Sequence, residues 1–267
     1  MSGFSYAYRG LGTAALIAGA ILLCGFTFRQ GGPPELHYRE YNALPPHGNT
    51  VTVCHAHGCQ EQASFTFTDT DISDLGTVMD YVRGGESAEG ERRAVAYAIA
   101  WMERRVGPAT GTAGDRPSLG FLNASGQLDC VDEATNSTSY LLVLQKNGLL
   151  RHHFVIRPYS KASFFKWPHF AAMMQERASG KVYAIDSGVG PNGANPAITL
   201  ASKWYIDDSY TAPDPVPVPT VATITSPSSA QPVGSMDLGV LVEQVLREDN
   251  RPAPQPGTLD YAASRLR

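Results

Sequence analysis

Three residues, Cys130, His169 and Asp186, carry the side chains needed for nucleophilic acyl transfer: a thiol to attack a carbonyl, an imidazole to move its proton, and a carboxylate to hold the imidazole. The thiol lies in "GQLDCVDEATNSTSYLL", where a polar stretch turns into an apolar run. From Asp129 to Asn147 the pattern is helical, with Cys130, Ala134, Leu141 and Leu144 on one side and Gly148 where a left-handed cap ends the helix. Cys130 therefore falls in the first turn. Asp129 is the expected N-cap, and Asp132 and Glu133 suit the positive end of the helix dipole. The helix start favours a thiolate, whereas the neighbouring acids oppose one.

The imidazole and the carboxylate come from one predicted hairpin. In "WPHFAAMMQERASGKVYAIDSG", His169, Ala171 and Met173 alternate with Phe170, Ala172 and Met174, and Val182, Ala184 and Asp186 line the following strand. A turn centred between Ala178 and Ser179 sets His169 nearly opposite Asp186. One ring nitrogen is then held by the carboxylate and the other is left to take a thiol proton.

At these residues the chain resembles the transglutaminase-like family, relatives of the papain-like cysteine peptidases, as a membrane-anchored member of bacterial type. In that family the nucleophile opens a central helix packed on an antiparallel sheet, and a HAW-type strand followed by a W-x-x-x-D-P strand supplies histidine and aspartate. "LDCVDEATNSTSYLLVL", "PHFAAMMQ" and "GKVYAIDSG" stand in those places and in that order, over residues 126–191. The sequence departs from the family pattern in "HFAAM", where "HAWVE" is common, and in Ser187, where proline is usual. The resemblance implies that Cys130 is the nucleophile, His169 the general base and then acid, and Asp186 its orienter.

Other residues compete for the chemistry. His152 and His153, in "LLRHHFVIRP", are rival bases on a strand that no fitting acid strand follows. Cys130 offers its backbone amide as the first oxyanion donor, and Gln127 is a candidate second. Cys54 and Cys59, between strands at Val51–Val53 and Ala63–Thr68, read as a disulfide in an oxidising compartment or as plain packing. The alternative treats Cys54, His55, His57 and Cys59 as zinc ligands. Asn192 and Asn195 are turn residues, and Trp204 and Tyr205 read as strand packing or a cleft wall.

The elements that position these groups are legible in outline. Ser73 caps a helix with Leu75, Val78, Met79 and Val82 on one face, ended by Gly84 and Gly85. A longer helix from about Glu86 to Val106 buries Val95, Ile99, Met102 and Val106, with Glu91, Arg92, Arg93, Glu103, Arg104 and Arg105 as its solvated face. Residues 11–28 form an uncharged apolar stretch bounded by Arg9 and Arg29, long enough to span a bilayer as a helix. Beyond residue 210 the chain is rich in Pro, Ser and Thr, with a short amphipathic segment, "MDLGVLVEQVLRED".

The expected class is thus α+β: a transglutaminase-like (papain-like) core at residues 50–210, with a membrane anchor at 1–30, a connector at 31–49 and a Pro-rich tail at 211–267. The chain has 267 residues, 43% hydrophobic and 17% charged, enough for one domain with a sizeable core. With 21 Lys+Arg against 25 Asp+Glu and no basic stripe, nucleic acid is not an expected partner. The expected reaction is attack of Cys130 on an amide or ester to give a thioester, resolved by water or an amine, with a protein or peptide substrate and no metal or organic cofactor. The expected location is a single-pass membrane protein with its domain outside the cytoplasm, in a periplasm. A membrane-tethered scaffold that keeps the fold without turnover is the alternative.

Overall fold

The computed structural model describes residues 31–117, 124–163 and 166–206. The apolar stretch at 11–28 and the tail beyond residue 210 lie outside the described residues, and no helix among those described is long and apolar enough to cross a membrane. The architecture is α+β with antiparallel sheets. In chain order come α1 (Glu35–Glu40), β1 (Thr50–His55), β2 (Glu61–Thr66), α2 (Asp69–Arg83), α3 (Ala88–Thr110), α4 (Cys130–Lys146), β3 (His153–Ser163), β4 (Lys166–Glu176), β5 (Val182–Asp186), β6 (Ala197–Leu200) and α5 (Ala201–Ile206).

The stretch read as an extended connector contains α1, whose His37 and Tyr38 are buried against the body. Helix α2 begins at Asp69, not near Ser73. Thr68 and Asp71 form a reciprocal capping box there, and Ser73 lies inside the helix. Its end is as expected, with Gly84 in the left-handed region at φ +66°.

Helix α3 runs to Thr110, with Gly111 in the left-handed region beyond it, and its polar face is not wholly solvated. Glu91 is fully buried and accepts from the backbone amides of Arg151, His152 and His153 and from the His153 ring. Glu103 is buried and accepts from Gly193 N–H at 2.7 Å. Arg105 pairs with Asp71 at 2.9 Å and Arg92 with Glu176 at 3.0 Å. The expectation of a solvated face holds for Arg93, Arg104 and Arg105, which are exposed, and fails at Glu91 and Glu103, over which segments from elsewhere in the chain close. Periodicity in one helix does not record them.

Strands β3, β4, β5 and β6 form one antiparallel meander, and β1 and β2 form a separate hairpin. Strand β4 is covered on both faces. Ala172 and Met174 join the main core with Leu141 and Leu144 of α4, Ile99 and Met102 of α3 and Val53 of β1. Ala171 and Met173 face the other way, into a cluster with Ala184 and Trp204. A buried segment with both faces apolar follows from this double coverage. Helix α4, which opens on Cys130, is enclosed on nearly all sides, every residue from Val131 to Leu141 being buried.

Candidate active site

Cys130 is the first residue of α4. Asp129 caps it, its Oδ1 accepting from the amides of Val131 and Asp132, while Asp132 reaches back to the Asp129 amide. This second capping box fixes the start of the helix, and hence the direction of the thiol. The sulfur is half-buried, 3.4 Å from the carbonyl oxygen of Pro168 at the start of the histidine strand.

His169 and Asp186 lie on adjacent strands and share a face. Pairing of Ala172 with Ile185 and Met173 with Ala184 places the hairpin centre between Ala178 and Ser179, as expected. That same register puts Ala171, not His169, at the position opposite Asp186. His169 is two residues further along, and a long side chain covers such a diagonal. Its Nε2 meets Asp186 Oδ2 at 2.6 Å, and the carboxylate is 1% exposed. With Nε2 so committed, Nδ1 is the nitrogen left for the thiol. Burial alone would lower the His169 pKa, but hydrogen bonds with Asp186 and Cys130 and their charges override it, raising the value to about 9.

Trp204, expected as strand packing or a cleft wall, makes a bond at this site that the sequence did not reveal. It lies on α5, not on a strand, and its indole N–H donates to the same Asp186 Oδ2 at 2.9 Å. Its ring centroid is 5.8 Å from that of His169. The indole thus holds the carboxylate and walls off the ring. No local spacing signals this, because the bond depends on β6 and α5 folding back over the sheet.

The other proposed groups are elsewhere or otherwise engaged. His153 is fully buried against Glu91, and His152 lies 3.6 Å from Glu86, so neither enters the site. Gln127 donates to the Gly114 carbonyl at 3.3 Å. Cys54 and Cys59 are bonded to each other. The four-residue zinc reading does not converge: His55 Nδ1 is 3.3 Å from Glu61, and His57 Nδ1 is 3.1 Å from Asp129.

A cavity of about 610 Å³ opens over the sulfur, lined among others by Cys130, His169, Phe170, Asp129, Glu133 and His57. No protein-family model, curated protein or solved structure matches this chain. What the site can do is therefore read from its own chemistry. Burial disfavours the charged forms of Asp115 and Glu133 in the cavity wall and of Asp132 close by in the first turn of α4. Burial and the adjacent Asp129 push Asp132 up to about 7. Burial and the charges of Glu103 and Asp115 hold Glu133 well above the ordinary carboxylate range. Held neutral by its surroundings, Glu133 does not repel a thiolate in the cavity.

Proposed function

We propose that this protein is a cysteine-dependent acyl-transfer enzyme of transglutaminase-like type, acting on an amide or ester of a protein or peptide through a thioester on Cys130. One observation carries the reading: the thiol opens a buried helix beside an imidazole whose far nitrogen is clamped by a buried carboxylate, and a cavity of substrate size lies above it. His169 takes the thiol proton, and the thiolate attacks the carbonyl carbon. The backbone N–H of Cys130, at a helix position with no intrahelical acceptor, donates to the developing oxyanion. The His169 imidazolium then protonates the leaving amine or alcohol as the carbon–heteroatom bond breaks. Water or an amine next gives its proton to His169 and attacks the thioester, returning the thiol. Water makes the enzyme a peptidase or amidase, and an amine makes it a transglutaminase. In this reading residues 11–28 anchor the domain in a membrane, outside the cytoplasm.

A scaffold without turnover is the second reading, favoured by Asp115, Asp129 and Glu133 in the cavity wall. The two separate in the pH dependence of Cys130 alkylation, followed on its own peptide in the full chain with His169→Ala as control. The enzyme reading expects fast alkylation well below the free-thiol pKa of about 8.5, slowed in the variant. An ordinary profile, unchanged by the substitution, would refute it. Turnover of an amide or ester substrate that survived Cys130→Ala would refute the assignment of the nucleophile.

A further inference from the structure

The turn between β1 and β2 is unusual. Ala56, His57, Gly58 and Cys59 have φ values of +63°, +69°, +68° and +61°, four successive residues in the left-handed region. Three of them are not glycine, and each such residue is held there against its preference. The holding groups all belong to the thiol's neighbourhood. Cys54–Cys59 closes the turn. Ala56 N–H donates to the Gln127 carbonyl at 2.8 Å. His57 N–H and Cys59 N–H donate to the two side-chain oxygens of Asp132 at 3.0 and 2.6 Å. Held this way, the His57 ring reaches Asp129, whose Oδ2 is 3.1 Å from Nδ1. The other oxygen of Asp129 is occupied by the helix amides. Both acids flanking Cys130 are therefore engaged by one loop.

We propose that His57 is a positioning residue of the acyl-transfer site: its ring screens Asp129 from the thiol, so that the thiolate of Cys130 forms beside an acid that would otherwise oppose it. The inference rests on the proposed function. The ring is 54% exposed and lines the cavity, where the titratable groups around Cys130 are Asp115, Asp129, Glu133, His169 and His57. Asp132 lies under the loop and Asp186 behind His169. Of the acids, Asp129 is the direct chain neighbour of the thiol and the one His57 touches. A carboxylate released from its partner one residue away raises a thiol pKa by about half to one unit. At a pH below the thiol pKa that is roughly a threefold to tenfold loss of thiolate.

The test is iodoacetamide alkylation of Cys130 in the full chain between pH 5 and 9, read on the Cys130 peptide. His57→Ala should alkylate roughly threefold to tenfold more slowly in the acid half of the range, and His57→Arg, which again places a hydrogen-bond donor on Asp129, should regain the rate. His57→Gly should match His57→Ala and relieves the left-handed backbone, so it serves if the alanine protein does not fold. In an Asp129→Asn background, removing His57 should have no further effect, a result that general loosening of the loop would not give. A wild-type profile in His57→Gly overturns this inference and leaves the Cys130–His169 reading standing. An ordinary thiol profile in the wild type, unmoved by His169→Ala, overturns both.

Discussion

Replacing Asp186 by Asn isolates the charge behind His169. The amide has the carboxylate's size, and its oxygen accepts from both His169 and Trp204, so hairpin packing survives while the charge goes. The carboxylate is 1% exposed and 2.6 Å from Nε2, so water screens it little. A carboxylate at that range moves its partner by about 1–3 units. Without it, burial pulls the ring down from its present value of about 9. Each unit is worth about 1.4 kcal/mol. Because the ring itself is 33% exposed, the lower half of that range applies. The assay is titration of the His169 ring protons by NMR in wild type and Asp186→Asn, alongside Cys130 alkylation. Thiol and imidazole titrate as a pair, so both midpoints should move: the imidazolium's down by about 1–2 units, the thiol's up. An imidazolium midpoint that stays near 9 in the variant would refute the role given to Asp186.

Two further outcomes follow from the buried acids. Asp132, at about 7, Glu103, raised to about 8 by burial, and Glu133 all keep their protons in the folded state at pH values where the unfolded chain has lost them. Stability should therefore fall as pH rises from about 5 to 8, read as a decreasing Tm, and Glu133→Gln should flatten the slope; a Tm that climbs over this window would contradict the assignment. Glu91 behaves oppositely, its hydrogen bonds from His153 and the backbone holding its carboxyl below the usual range in spite of burial. Truncation to Ala should cost about 3–5 kcal/mol in urea unfolding, because three amides and a buried ring lose their acceptor; a loss under 1 kcal/mol would show that water takes its place.

The sequence carried those parts of the site that lie close together in the chain. A cysteine just after a capping aspartate, and a histidine and an aspartate on the two arms of a short hairpin, leave local patterns of capping and alternation. The centre of that hairpin was readable to the residue, although the diagonal reach of His169 to Asp186 was not. Trp204 and the burial of Glu91 and Glu103 could not be read, because each depends on a partner about twenty to ninety residues away. The left-handed run at Ala56–Cys59 was also hidden, since only one of its four residues is glycine. Nor did the stretch before β1 announce α1, a six-residue helix whose buried His37 and Tyr38 find hydroxyl partners on α4.

Those partners give α4 an unusual interior. Thr135, Asn136, Ser137 and Ser139 are all buried, and each meets a group from another part of the chain: His37, both backbone groups of Cys54, Ser187 and Tyr38. A helix packed only by leucines can turn or slide by a fraction of a residue and find nearly equal contacts. This one is cut like a key, since any turn or slide orphans several buried polar groups at once. The stability forgone by placing hydroxyls where methyls would fit is exchanged for a fixed angle and height of the first turn. The aim of the Cys130 sulfur is thus set along three turns of helix behind it.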